Sequence, residues 1–393
     1  STSGERRQSM TANLDISGPP IDAMTGWHGV MVSPVSLHVE VSVKIAATDF
    51  VVPICPDTVF STMPVHTGQI TPNRTLMRLG KDSGIDMQLQ LDATLKPDEH
   101  AHLTLPEGWT FELLAEPTDT KQQGRVSVPS TARQGHYQIG AKVLEQEVFG
   151  TQRLVYPHIR PQTRFARTSA DIVLVDTAGL DGVRIGWIDG SVDDSHHWAG
   201  QLDAQIIQLN DNRLISGDFD GLDVIVAGVF AGGTRPLNRS MQHIRPWIES
   251  GGHFVSQYHR PIDNWDKTQS APLRLQPGSP SIRWRVTDAA APVRMLQPDH
   301  PLLNSPNRIT DEDFDGWVKE RGLYFASDWD PAYVPLLAMS DTDEAPLEGS
   351  LLAARIGAGS HVHCALNLFY QMDHMVVGAF RLFANLMTPS GRT

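Results

Sequence analysis

From Val35 to Ile45 the chain alternates. Val35, Leu37, Val39, Val41, Val43 and Ile45 are apolar, and Ser36, His38, Glu40, Ser42 and Lys44 between them are polar. That period of two predicts a strand with one face on a core. The same alternation returns in IDMQLQL at 85–91, HAHLTLPEGWTFELL at 100–114, GRVSVPS at 124–130 and GHYQIGAKVL at 135–144. Prolines and glycines punctuate 51–73, which reads as short strands and turns. Short strands at near-regular spacing predict an antiparallel, Ig-like β-sandwich over 31–160, including part of a preceding β domain. No helix of note is expected before residue 190. Residues 1–30 lack an apolar period and are rich in Ser, Gly, Pro and Thr, the composition of a disordered tail.

The period changes after YPHIRP at 156–161, a proline-bracketed stretch expected to be an extended linker. Apolar runs follow at 172–175, 183–188, 206–209 and 224–226. Asp193 or Asp194 is placed to cap a short helix through Trp198 and Leu202. A longer helix over 238–250 has Asn238 as its expected N-cap and Met241, Ile244, Trp247 and Ile248 on one face. Gly251 and Gly252 end it, and a strand begins at His253. Strand, crossover helix and strand make a βαβ unit. A hairpin around 357–359 and a helix near 376–387 complete the region. The pattern over 161–393 predicts an α/β domain with a flavodoxin-like parallel sheet and helices on both faces.

Ligands of such sheets sit beyond the carboxyl ends of the strands. Those ends carry Asp189, Asn210, Gly232, Gly233, Arg235, Gln257 and His259. In a ligand-binding cleft, Arg235 would take an anionic or carbonyl group and His259 a hydroxyl. Alternatively, Arg235 pairs locally and the aromatic segment 314–333 fills the cleft.

Composition removes some functions. The chain has 393 residues and a formal charge of −13, with no basic block, which argues against nucleic acid. No apolar run reaches membrane-spanning length. The chain begins with neither methionine nor the apolar core of a signal peptide, so the expectation is either that something upstream was removed or that the chain is a fragment of a longer product. Cys55 and Cys364 fall in different expected domains, which makes a disulfide between them unexpected.

Catalytic chemistry has few places to reside. The pairs His361/His363, His100/His102 and His196/His197 (the last beside Asp193 and Asp194) lack a third ligand at readable spacing, so no metal or other cofactor is expected. The strand HFVSQYHRP offers Ser256 and His259 without the flanking glycines of a nucleophile elbow. A polar strand end is the expected reading, with a Ser256–His259 dyad as the enzymatic alternative. Cys364 lies mid-strand and reads as a buried, inert thiol. The Gly232-Gly233 turn lacks the lysine of a phosphate loop.

Several strings together resemble a known family. They are YPHIRP at 156–161, VRIGWIDGSVDD at 183–194, FDGLDVIVAGVFAGGTRP at 219–236, WIESGGHFVSQYH at 247–259, PDHPLLNSPNRITDEDFDGWVKERGLYF at 298–325 and FYQMDHMVVGAFRLFANLM at 369–387. They resemble the C-terminal region of large bacterial PIG-L (LmbE-like) deacetylases, where a β-sandwich precedes a class I glutamine amidotransferase-like domain. LTLPEGWTFE at 103–112 is similar to that sandwich. The deacetylase domain's metal-binding His-Pro-Asp-Asp is absent from this chain, and Pro298-Asp299-His300 is not that motif. The resemblance therefore implies a non-catalytic accessory and substrate-recognition region, with no catalytic residue and no cofactor of its own. Its partners would be a PIG-L catalytic domain and a glycan or glycoconjugate, in a periplasmic or secreted setting. A degenerate amidotransferase-like hydrolase and a purely structural interaction module are the alternatives.

Overall fold

The computed structural model describes residues 64–158 and 162–389 in full. Before them it describes the strand backbones Val30–Met31, Pro34–Val35, Val39–Ile45, Thr48–Ile54 and Phe60–Ser61. The tail expected over 1–30 lies outside the described residues apart from Val30, as does Cys55. The alternating stretch ending at Ile45 does form a strand from Val39, and it pairs with Thr48–Ile54 as an antiparallel hairpin.

Two sheets pack face to face over 68–175. One is ordered Thr110–Leu113, Lys121–Ser127, Gly84–Leu91, Gly68–Thr71, all antiparallel. The other is ordered Gln146–Glu147, Gly135–Val143, Ser169–Val175, Arg74–Arg78, with Ala101–Thr104 beside Gly135–Val143. Alternation decides what goes inside. Met87, Leu89 and Leu91 of IDMQLQL meet Ile139, Ala141 and Val143 of GHYQIGAKVL in one core. Each large side chain removed from water there contributes about 1.5–3 kcal/mol.

The β region extends past residue 160. The strand Phe149–Leu154 pairs antiparallel with Gln162–Arg167, so a ladder joins the two sides of the stretch expected to be an interdomain linker, of which residues 155–158 are described. Pro157 in that stretch lacks the N–H that would continue a ladder. Ser169–Val175 was expected in the α/β unit, yet it pairs with Gly135–Val143 and Arg74–Arg78. Its residues divide: Ile172 and Leu174 join the sandwich core, while Val173 and Val175 join the core of the following unit.

That unit is built on a seven-stranded sheet. Its order is Gln205–Gln208, Arg184–Ile188, Val224–Ala227, His253–Gln257, Gly359–Cys364, Leu351–Ile356, Val334–Pro335. The first five strands are parallel, and the last two are antiparallel additions. Trp187, Val226, Val255 and Val362 pack on one face against Trp198, Phe380 and Phe383 of helices Ser195–Gln201 and Val377–Leu386. Ile225, Ala227 and Phe254 pack on the other against Met241, Ile244 and Ile248 of helix Leu237–Glu249. Strands outnumber helices in the described residues, and the chain is a multidomain, β-rich protein.

One helix start differs from expectation and another divides its cap between the two residues expected for it. Pro236 is the N-cap of Leu237–Glu249, and Asn238 lies inside the first turn, donating to the Asn264 carbonyl at 2.9 Å. Asp193, rather than the N-cap Asp194, bonds the first turn of Ser195–Gln201, accepting from the Ser195 N–H at 2.9 Å.

Candidate functional site

The parallel register puts the ends of Arg184–Ile188, Val224–Ala227, His253–Gln257 and Gly359–Cys364 along one edge. The residues expected there follow their strands in that order, but their polar atoms are largely committed to one another. Asn210 is the N-cap of helix Asp211–Ser216 and accepts from the Arg213 N–H at 3.0 Å. Arg235 donates to the Asp211 carboxylate at 2.8 Å and to the Leu209 carbonyl at 2.6 Å. This is the local pairing weighed against an anion site. Asp189 accepts from the Ser191 N–H at 2.7 Å, closing a tight turn in which Ser191 has a φ of 60°.

His259 is 1% exposed and joins two neighbouring loops. Its Nδ1–H donates to the Gln257 carbonyl at 2.6 Å, so Nε2 is the acceptor for the Gly232 N–H at 3.0 Å. Burial lowers its pKa to about 4, and the ring is neutral at physiological pH. The Gly232 N–H is therefore spent on an imidazole rather than held open for a phosphate. A Cβ at Gly232 would lie 3.3 Å from the His259 ring and 2.9 Å from the Asp263 carbonyl oxygen, so the turn is also close-packed. Gly233 beside it is exposed, and Gln257 is 7% exposed with its Nε2 unpartnered.

Ser256 does not contact His259. Its side chain points to the adjacent strand, where Oγ lies 2.9 Å from His361 Nε2 and 2.9 Å from His363 Nδ1. Tyr333 Oη closes the array at 2.6 Å from His361 Nδ1. The period of two places His361 and His363 on the same side of their strand, and the parallel pairing brings Ser256 opposite His363. A hydroxyl has one proton, so Ser256 donates to one ring and accepts from the other. Ser256, His361 and His363 are each 0% exposed. Burial lowers both imidazoles, His363 to about 3 and His361 well below its ordinary range. The Ser256–His259 dyad weighed as the enzymatic alternative does not form, and the partners Ser256 does have lie more than a hundred residues away. The signal available was the same-face spacing of His361 and His363.

Cys364 is buried and free, and burial raises its thiol to about 12. Among the described residues no three His, Cys, Asp or Glu side chains are grouped as a metal would require. His102 lies exposed on Ala101–Thr104, and exposed His197 bonds Gln201 at 2.6 Å.

Sequence reading missed an aromatic group at the same sheet edge. Tyr258 immediately follows His253–Gln257, and its ring centroid lies 5.0 Å from Phe230, 6.0 Å from Tyr324 and 6.2 Å from Phe369. The Arg260 guanidinium covers Phe230 at 3.9 Å and bonds Asp263, with Nη2 to Oδ1 at 2.7 Å and Nε to both carboxylate oxygens. Glu320 is 6% exposed, accepts from Asn367 at 2.8 Å, and has a pKa raised by burial. Larger cavities lie elsewhere. One of about 810 Å³ includes Arg74, Arg164 and His197 in its lining, one of about 560 Å³ includes His136, Asp313 and Arg381, and one of about 430 Å³ includes His253 and His300.

No family model matches the chain, and neither does any curated protein. Among solved structures it is similar to an exo-β-1,4-mannosidase from Opitutaceae bacterium strain TAV5, at 14% identity and a TM-score of 0.29. That match covers 53% of this chain and 35% of the mannosidase. A cold-adapted β-galactosidase from Rahnella sp. R3 matches at 14% identity and a TM-score of 0.26, over 51% of this chain and 30% of the enzyme. Domains 4 and 5 of the S-layer protein SbsC match at 12% identity and a TM-score of 0.18, over 36% and 59%. The chain thus spans about a third of either glycosidase. At these TM-scores none of the three bears on its fold or activity.

Proposed function

We propose that the chain is a non-catalytic accessory region of a PIG-L-type N-acyl deacetylase, contributing recognition of an acylated amino sugar or glycoconjugate. One observation carries the non-catalytic part: the groups that would perform chemistry are sealed. Ser256, His361 and His363 have no exposed surface, and both ring nitrogens of His259 are engaged inside the protein. A nucleophile must reach a carbonyl carbon, and none of these can do so without opening the sheet edge. The strings at 183–194, 219–236, 247–259 and 298–325 support the deacetylase connection. The strand order, with Arg184–Ile188 between Gln205–Gln208 and Val224–Ala227, supports reading the α/β unit as flavodoxin-like and related to class I glutamine amidotransferases.

The opposing reading is a degenerate hydrolase, favoured by the 2.9 Å contact between Ser256 and His361 with Tyr333 behind it. A serine-directed fluorophosphonate separates the two. The accessory reading expects no labelling of the native chain, and labelling that disappears in Ser256→Ala overturns it. The connection itself is tested on the genome. A His-Pro-Asp-Asp segment encoded beside this region is expected, and a deacetylase-free neighbourhood contradicts the assignment.

A further inference from the structure

The aromatic group at the carboxyl edge has the character of a surface built to hold something. Phe230, Tyr324 and Phe369 are half-buried around the buried Tyr258. Such rings are normally turned further inward. The Tyr258 hydroxyl bonds to no described residue and is not among the sealed polar atoms, so the ring is fixed while its Oη stays free.

The backbone around the group is held in unusual conformations. Phe230 has a φ of 58° and Tyr324 a φ of 54°. Bulky residues rarely adopt the left-handed region, and residues that do so collect at ligand clamps. Asn264, in the loop after Tyr258, has a φ of 53°. The loops are also tied together: the Phe230 N–H donates to the Tyr258 carbonyl at 3.1 Å, and the Gly232 N–H to His259 at 3.0 Å. The His259 and Gly232 contact thus acts as a brace that sets the height of the aromatic rings.

The polar groups in this patch balance. Arg260 is neutralised by Asp263, and Glu320 lies 3.8 Å from the Lys319 ammonium. No net charge is left to select an ion. The Tyr258 hydroxyl is left to bond a ligand, whereas the Gln257 amide nitrogen and the Asn367 amide oxygen beneath it are unpartnered but sealed from the surface. A ligand suited to flat aromatic faces and mixed donors and acceptors has C–H groups on one face and hydroxyls at its rim. We infer that Tyr258, Phe230, Tyr324 and Phe369, with Arg260 and Glu320 at the border, form a binding surface for the pyranose rings of a neutral oligosaccharide. This rests on the accessory reading above and assigns the recognition role to this edge, away from Arg235.

Calorimetric titration of the whole chain with two probes, N-acetylglucosamine trisaccharide and cellotriose, tests it. Saturable binding of at least one is expected. Tyr324→Ala and Phe369→Ala should each weaken it about tenfold, and Tyr258→Phe, which keeps the ring, should weaken it by a smaller factor. Tyr156→Ala, at a residue 52% exposed in the 155–158 turn, should leave it unchanged. Circular dichroism verifies that each variant remains folded. Absence of binding to both probes overturns the inference, as does binding that is equal in the wild type, Tyr324→Ala and Phe369→Ala. Its failure is separable from that of the accessory reading, which falls when fluorophosphonate labels Ser256 even if sugar binds.

Discussion

Four histidines lie inside the α/β unit: His253, His259, His361 and His363. Burial lowers the pKa of each, to about 4 for His259 and about 3 for His363. The unfolded chain would titrate all four near 6.5. Their neutral forms therefore favour the folded state fully above that pH, and the advantage disappears as pH falls toward the folded values. The slope is roughly 1.4 kcal/mol per pH unit for each fully participating ring. Asp193 and Glu320 act in the opposite direction, since burial raises both and their contribution is lost as pH rises. With four imidazoles against two carboxyls, the urea midpoint should fall between pH 7 and pH 5. A midpoint that holds or rises over that interval would show that these rings are solvated in solution. At this scale composition could indicate that histidines were numerous, but not that four were buried. His361 and His363 are opposed to Ser256 only because a parallel pairing joins strands more than a hundred residues apart.

Elements were most legible where one face meets water. The alternation of IDMQLQL is enough by itself to mark Met87, Leu89 and Leu91 as inward, and they are. Ser169–Val175 was harder, because SADIVLV is apolar on both faces and resembles a central strand of an α/β sheet. It is apolar for a different reason: its two sides serve two cores. Turns carry their own requirements. At Gly190, two residues beyond the end of Arg184–Ile188, an added Cβ would lie 1.8 Å from the Val229 carbonyl oxygen. Gly190→Ala should therefore lower stability by about 1–3 kcal/mol through overpacking. Gly200 is exposed on helix Ser195–Gln201, where an added Cβ meets only Ile206 at 4.0 Å. There, alanine should stabilise by about 0.5–1 kcal/mol. Thermal melting of the two variants checks the contrast, and a neutral Gly190→Ala would mean that the loop crossing yields easily.

For the whole molecule, the change from alternating strands to βα patterning was legible, and the strand pairing that runs past it was not. The period changes at YPHIRP, whereas the hydrogen-bond ladders continue to Val175. Proteolysis should still find 155–158, since Val155 is 61% and Tyr156 52% exposed. The nick falls between two paired strands, so the two pieces should elute together in native gel filtration and separate only under denaturing conditions. Pieces that part without denaturant would mean that the Phe149–Leu154 and Gln162–Arg167 ladder is weak. Side chains also cross between the units. Arg74 bonds Asp373 at 2.8 Å, and Arg78, which is 3% exposed, pairs with Asp181 and Asp203.

The doubly used strand Ser169–Val175 has a consequence during synthesis. When it leaves the ribosome, its partners Arg74–Arg78 and Gly135–Val143 have already been made, so the sandwich can close at once. Its outward valines, Val173 and Val175, must wait for helix Val377–Leu386, which packs against this strand. At about 5–20 residues per second, the intervening two hundred or so residues take roughly 10–40 seconds. Through that interval the nascent chain displays a finished domain with one greasy wall, a ready foothold for a chaperone or for a neighbouring copy on the same messenger.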